Sequence, residues 1–516
     1  MAGRLEFEFG FGRPPGRPRA GDDPMRILLV GDFSGRGGRG RGGEVPLGER
    51  RPRLVDVDNF EDVMARFAPG LALPLDGEEG GVEIEFRELD DFHPDALYRR
   101  LDIFRALRRM RTRLLDPAEF AAAAAELRRD AGGPPEAPDV EEGRPSGAEA
   151  AASEGSGSTL ERLLGGTPSE HAGGRDAAPA SRAGLDVDRL VGRVVAPYIT
   201  PAADPQQDQY VASVDAAIGD QMRAVLHHPS FQALEAAWRG VYGLVTSLET
   251  GEELKLYLLD ASKAEIAADL AAAGHDLRAS GLYRALVERG VGTPGGEPWS
   301  LLVGDFAFAA AEDDIALLAA LGAVASQAGG PFLAAAEASL LGCRSLAETP
   351  DPADWHLDDA ETEALWGALR RSASAQWLGL AAPRVLVRLP YGAQSDEIDA
   401  FEFEEVPSVR EHGAFLWGNP AFACAALIAG AFTERGWAMR PGDLVDVEDL
   451  PACTYYDQGE AAMVPCAEVF LGERAIDAIL ARGVMPLASY RNRNAARLVR
   501  FQSLAEPPAA LAGPWD

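Results

Sequence analysis

The sequence predicts an α/β protein in two parts, a small α+β N-terminal domain and a larger α/β sheet domain, joined by a linker. Three observations predict it. Short apolar runs of strand length recur along the chain, segments of helical period separate them, and one long stretch nearly free of aromatic and β-branched residues interrupts both patterns. The 516 residues make room for roughly three domains of ordinary size, or two with linkers. With 47% hydrophobic and 25% charged residues, the composition is that of an average globular chain.

Taken in order, Leu5, Phe7 and Phe9 alternate with Glu6 and Glu8, the period of a half-buried strand. Arg26–Val30 reads as a buried strand ending at Gly31-Asp32. Asp58 or Asn59 can cap a helix that runs to Phe67 and stops at Pro69-Gly70. Val82, Ile84 and Phe86 alternate with charged residues as a second strand, and Asp95–Leu115 reads as one long helix with Leu97, Leu101, Phe104, Leu107 and Leu114 on one face. A further helix covers Pro117–Arg128, closing a domain over 1–130. Residues 131–185 are rich in Gly, Pro, Ala, Ser and Glu and read as a flexible linker. Within it Leu160, Leu163 and Leu164 have helical spacing over 159–164.

The second domain, 186–516, opens with helices at Val211–Leu226 and Ser230–Thr246, the latter with Ser230 as expected N-cap. Leu254–Leu259 reads as a strand and Ser262–Ala272 as a helix, with Ser262 and Glu265 spaced as a capping box. Strands are expected at Ser300–Gly304, Phe332–Ala336, Val385–Arg388 and Leu450–Tyr455, and helices at Asp313–Gln327 and Ala421–Arg435, the last apolar almost all round and so buried. The hexapeptide Leu-Leu-Val-Gly-Asp-Phe occurs twice, at Leu28–Phe33 and Leu301–Phe306.

Charge narrows the function. Against 49 Lys and Arg, all but two of them Arg, stand 81 Asp and Glu, a formal net charge of −32. Such a surface repels nucleic-acid backbones and anionic membranes. No apolar run is long enough to span a bilayer, and Glu6 and Glu8 deny the first ten residues the apolar core of a signal peptide. Cys343, Cys424, Cys453 and Cys466 form no C-x-x-C pair, which fits a reducing cytoplasm. Gly35-x-Gly37-x-x-Gly40 follows a strand, but Arg41, Gly42, Gly43 and Pro46 come where a dinucleotide fingerprint requires a helix. There is no P-loop and no G-x-S-x-G elbow. His227-His228 reads as a helix-end feature, and the carboxylate runs at Glu402, Glu404 and Glu405 and at Asp358, Asp359 and Glu361 as solvated faces. No catalytic, metal or cofactor site is expected, and an enzyme is not. Two stretches instead combine aromatic residues with arginine: Phe231–Gly240, with Trp238 and Arg239, and Arg384–Gly392 followed by Leu416–Asn419, with Trp417. Trp and Arg are favoured interface anchors, although composition alone favours Trp238 and Trp417 as core residues.

Those stretches carry a resemblance. Val225-Leu226-His227-His228-Pro229-Ser230-Phe231, Leu234-Glu235, Ala237-Trp238-Arg239-Gly240-Val241 and Glu249-Thr250-Gly251-Glu252 resemble the large sheath subunit of type VI secretion systems, TssC or VipB. Leu302–Phe306, Pro331–Ala336, Leu378–Leu380, Pro383–Gly392, Phe401–Glu405 and Leu416–Asn419 continue the likeness in order. In the N-terminal domain Leu28–Gly35, Val55–Phe60, the Val82/Ile84/Phe86 strand and Asp90–Pro94 resemble the small subunit, TssB or VipA. The resemblance implies a fused structural protein, cytoplasmic, that assembles with itself or other sheath subunits around an inner tube protein, in contact with baseplate components. It further implies Leu5, Phe7 and Phe9 as a strand donated to a neighbour, and the helix of Leu160, Leu163 and Leu164 as a site for a ClpV-like ATPase. The large subunit usually continues beyond the stretch matched by Phe501-Gln502-Ser503, whereas this chain ends at Asp516. That leaves a second expectation open, a non-contractile adaptor or regulatory protein with the sheath fold.

Overall fold

The computed structural model describes residues 21, 23–39, 45–74, 82–130, 207–292, 296–357, 359–457 and 460–515. The expected strand at Leu5–Phe9, the linker over 131–185 and the helix over 159–164 lie outside the described residues.

The N-terminal region contributes β1 (Met25–Gly31), β2 (Arg53–Val55), α1 (Phe60–Phe67), β3 (Gly70–Leu73), β4 (Val82–Glu85), α2 (Pro94–Arg100), α3 (Arg105–Leu115) and α4 (Phe120–Asp130). The C-terminal region adds α5 (Gln207–Leu226), α6 (Pro229–Ser247), β5 (Leu254–Asp260), α7 (Lys263–Ala273), β6 (Leu301–Phe308), α8 (Glu312–Ala328), β7 (Phe332–Ala336), α9 (Ala360–Arg370), β8 (Leu378–Ala382), β9 (Val385–Leu386), β10 (Trp417–Gly418), α10 (Pro420–Arg435) and β11 (Asp446–Val447). It ends with the hairpin β12 (Thr454–Asp457) and β13 (Glu460–Met463), then α11 (Glu473–Ala481), β14 (Met485–Ser489) and β15 (Ala496–Leu498).

Among the described residues one sheet of nine strands organises the fold, in the order β11-β15-β14-β8-β7-β6-β1-β5-β2. The six strands from β14 to β5 run parallel, and the flanking strands are antiparallel. The α/β class expected from the alternation of elements is the class observed. The compositional division between 1–130 and 186–516 does not divide this sheet. Strand β1 belongs to the first segment yet lies between β5 and β6 of the second, with Met25 opposite Leu254 and Ile27 opposite Leu301.

That position explains why Arg26–Val30 is apolar at nearly every residue. A central parallel strand is covered on both faces. Met25, Ile27 and Leu29 enter the core beneath α3, α5, α6 and α10, while Leu28 and Val30 enter the core beneath α7, α8 and α9. The two hexapeptides turn out to be neighbours, with Leu28 beside Leu302 and Val30 beside Gly304. Close approach accounts for their glycines. A Cβ on Gly31 would lie 3.0 Å from that of Asp305, and one on Gly304 would overlap the Phe332 ring.

The capping box forms as spaced: the Ser262 hydroxyl accepts from the Glu265 N–H at 3.2 Å, and the Glu265 carboxylate accepts from the Ser262 N–H at 3.0 Å. Other expectations need correction. The cap of α6 is His228, whose Nδ1 accepts from the Ser230 N–H, because Pro229 already occupies the first helical position. Asn59 sits at the start of α1, but its side chain accepts from the Asp56 N–H, and left-handed Ala68 ends the helix. The single helix expected over Asp95–Leu115 breaks at Leu101, which is extended. Leu97, Leu101 and Phe104 all remain buried, so packing overrides propensity. The strand expected at Leu450–Tyr455 begins only at Thr454, past Pro451, which has no N–H for a ladder. Strand β8 escapes notice because it is built from small residues, and Gly379 is small for a reason: a Cβ there would lie 2.6 Å from Leu333 Cδ2.

Replacing Gly304 by Ala should destabilise the fold by about 1–3 kcal/mol, the cost of overpacking a filled core; urea unfolding followed by tryptophan fluorescence measures it.

Candidate interface between the N-terminal and C-terminal regions

Helix α6 positions the side chains that hold the two regions together. Its buried face carries Phe231, Leu234, Glu235, Trp238 and Val241. Trp238 is fully buried, and its indole N–H donates to the Phe33 carbonyl at 2.9 Å. Three N-terminal rings meet it edge-on, Phe33, Phe60 and Phe67, at centroid distances of 5.7, 5.8 and 5.9 Å. Two turns earlier Phe231 meets the stacked pair Phe86 and Phe92 at 5.8 and 5.5 Å. Such aromatic pairs contribute about 0.5–1.5 kcal/mol each beyond the area they bury.

Polar contacts surround this apolar seam. Arg111 grips Asp215 with two hydrogen bonds of 2.6 and 3.2 Å. Arg50 grips Glu265 at 2.6 and 3.1 Å, Arg36 pairs with Asp260 at 3.0 Å, and the Asp95 carboxylate accepts from the N–H groups of Asp399 and Ala400. Bidentate guanidinium–carboxylate pairs fix geometry as well as charge.

Behind the seam lies a buried ionic lattice. The Glu235 carboxylate accepts from Arg239 Nε at 2.7 Å and from Arg388 Nε and Nη2 at 2.7 and 3.2 Å. Arg388 also donates to both oxygens of Glu405, at 2.6 and 2.8 Å, and its guanidinium lies 4.2 Å over the Tyr391 ring. Arg239 donates to the Tyr391 hydroxyl at 3.1 Å, and His93 of the N-terminal region packs edge-on against that ring. Burial alone would raise the Glu235 carboxyl, but the charges of Arg388 and Arg239 prevail and hold it below its ordinary value. Burial would likewise lower Arg388, and Glu235 and Glu405 keep it well above. The lattice thus sets two carboxyl groups, Glu235 and Glu405, against two guanidiniums, Arg239 and Arg388.

Residues 208–505 match the family model for the EvpB/VC_A0108 tail sheath N-terminal domain, VipB, and residues 18–130 match that of the type VI secretion system protein VipA, VC_A0107 or Hcp2. The chain belongs to the tail sheath family. It is a TssB-like region fused to a TssC-like region. Over 306 residues it is 34% identical to the type VI secretion system sheath protein TssC1 of Pseudomonas aeruginosa, covering 58% of this chain and 61% of that relative.

Of the residues singled out in the sequence, Trp238 therefore sits in the seam between the TssB-like and TssC-like regions, and Arg239 in the ionic lattice behind it. Trp417 does not. It stacks on His412, donates its indole N–H to the His412 carbonyl at 2.9 Å, and packs with Leu386, Phe415 and Val464 in a separate small cluster. Leu5, Phe7, Phe9, Leu160, Leu163 and Leu164 lie outside the described residues. Sequence reasoning missed Glu235, Arg388 and Glu405. Glu405 was grouped with Glu402 and Glu404 as a solvated run, yet it is buried while they are exposed. The signal available was the i,i+4 pair Glu235–Arg239 within an otherwise uncharged helix. The Gly35-x-Gly37 segment is a tight turn, with the Asp32 carboxylate accepting from the N–H groups of Arg36 and Gly37 and Gly35 pressed against the Gly70 carbonyl. Among the described residues no group of three or more His, Cys, Asp or Glu side chains is arranged to hold a metal, and no helix is long and apolar enough to cross a membrane.

Replacing Arg388 by Leu should cost about 3–5 kcal/mol, because it takes the guanidinium from buried Glu405 and leaves Glu235 with Arg239 alone; the midpoint of urea unfolding reads it. A second expectation concerns Asp305, beside β1. Burial pushes its carboxyl up to about 7, with the Asn419 side chain pulling it down and the Asp32 charge adding to the rise. The native state thus keeps a proton that the unfolded chain, titrating near 3.8, has released. Stability from this group is full below that value and is lost as pH rises towards 7. Asp305→Asn should therefore lose less thermal stability than wild type between mildly acidic and mildly basic pH, as differential scanning fluorimetry would record.

Proposed function

We propose that the chain is a single-chain heterodimer of a type VI secretion sheath, which polymerises around an inner tube and contracts to drive it. The observation that carries this reading is the place of β1, an internal strand of the shared sheet supplied by the TssB-like region to the TssC-like region. Regions that match two separate family models here share one sheet in one chain, so each polymer repeat receives both in equal number. The partners that fit are other sheath subunits, the inner tube protein, baseplate components and a ClpV-like ATPase, all in the cytoplasm. Leu5, Phe7 and Phe9 carry the alternation of a strand donated to a neighbour, and Leu160, Leu163 and Leu164 the spacing of an ATPase-docking helix.

Electron microscopy of the purified chain, alone and with its tube protein, tests the reading. Helical tubules with a tube-sized lumen are expected; persistent monomers under all conditions would refute it. Cleavage at a protease site inserted within 131–185 should leave the two pieces associated through gel filtration, since the sheet and not the linker joins them.

A further inference from the structure

Helix α3 carries five arginines and no acidic residue in its 11 positions, on a chain whose net charge is −32. Two are used internally: Arg111 on Asp215, and Arg113 on Glu126 at 2.7 Å and Glu119 at 3.4 Å. Arg105, Arg108 and Arg109 remain, spaced i, i+3 and i+4 on one face. Arg108 donates to the Arg99 carbonyl, which brings the end of α2 and its exposed Arg99 alongside. Arg105 pairs only with the exposed Asp102, and among the described residues Arg99 and Arg109 have no carboxylate within ion-pair distance. Guanidiniums held this close repel one another, and an acidic partner relieves the repulsion.

A surface of opposite sign lies elsewhere. Between Arg344 and Arg370 there is no Lys or Arg, and Glu348, Asp351, Asp354, Asp359, Glu361 and Glu363 are exposed around the start of α9. Arg474 and Arg482 reach Asp351 and Glu363, while Glu348, Asp354 and Glu361 have no basic partner among the described residues.

The two surfaces cannot meet within one copy. Helix α3 buries Leu107, Met110 and Leu114 in the core with Met25, Ile27 and Leu29 of β1, and α9 buries Trp366 and Leu369 in the core with Leu28 and Val30. Odd and even residues of one strand face opposite ways, so the basic and acidic surfaces lie on opposite sides of the sheet. We infer that the arginine face of α3 in one copy docks on the acidic face at the start of α9 in the next. Two different patches then meet head to tail. Such a contact builds a ring or an open helical array rather than a closed pair, and it deepens the sheath reading, on which it rests, by naming the chemistry of one polymer contact.

Charge exchange tests it on the full chain. One variant carries Arg105→Glu and Arg109→Glu, the other Asp354→Arg and Glu361→Arg. All four positions are exposed, so both variants should keep the wild-type melting temperature. Sedimentation velocity should show wild-type chains associating at low ionic strength and separating at high salt, and each variant alone weakened by on the order of ten-fold or more. An equimolar mixture should associate again, because each reversed face then meets a face of opposite sign. Association of either variant at wild-type strength, or a mixture no stronger than its parts, overturns the contact. If a double reversal unfolds, Arg109→Ala and Glu361→Ala serve instead, and a salt dependence unchanged from wild type overturns the contact. Microscopy separates the two readings: tubules formed equally by both reversed variants reject the contact and keep the sheath. Wild-type chains that associate through these faces without forming tubules support the contact and reject the sheath.

Discussion

Everything in this fold hangs on the hydrogen-bonded insertion of β1 between β5 and β6. Those two strands have no ladder with each other, and β1 satisfies the inner edge of both at once. A parallel sheet has no use for an open interior edge, since unpaired backbone groups there would be buried without partners. The aromatic seam at Trp238, the ion pairs of Arg36 and Arg50 at the carboxyl ends of β1 and β5, and the nearly continuous apolar character of β1 all follow from that one placement.

The polar contacts around the seam have a different role from the apolar ones. Burial of Phe33, Phe60, Phe86 and Phe92 against α6 favours any close approach of the two regions. The lattice of Glu235, Arg239, Arg388 and Glu405 adds little net stability, because desolvation offsets most of the Coulombic gain. It does penalise any arrangement that leaves one of the four unpaired. The seam is therefore driven by rings and aligned by charges.

Much of this was legible in the sequence. The strands at Arg26–Val30, Leu254–Leu259 and Phe332–Ala336 announce themselves as apolar runs, and Ser262–Glu265 announces a helix start, because local chemistry decides each. Strand order was not legible, since periodicity gives a strand its faces and says nothing of its neighbours. That is why composition, which marks the boundary between the two regions, does not show that one sheet takes strands from both. The same limit applies to the site. Trp238 and Arg239 drew attention as residue types, but whether an indole faces a partner or its own core depends on what the distant Phe33, Phe60 and Phe67 do. Glu405 was misread for a related reason: three nearby carboxylates look alike until an arginine from another element selects one.

The order of the strands also sets a timetable. Strand β1 ends at Gly31, and its partners end only at Asp260 and Phe308. At translation rates of roughly 5–20 residues per second, an apolar strand with two unsatisfied edges must wait roughly 15–55 s before its second neighbour exists. Two separate chains could shorten that interval by meeting after synthesis, whereas a fused chain must endure it at every round. The fusion thus exchanges a search for a partner for a delay with an exposed strand, and makes the nascent chain a natural client for whatever shields unpaired edges on the ribosome.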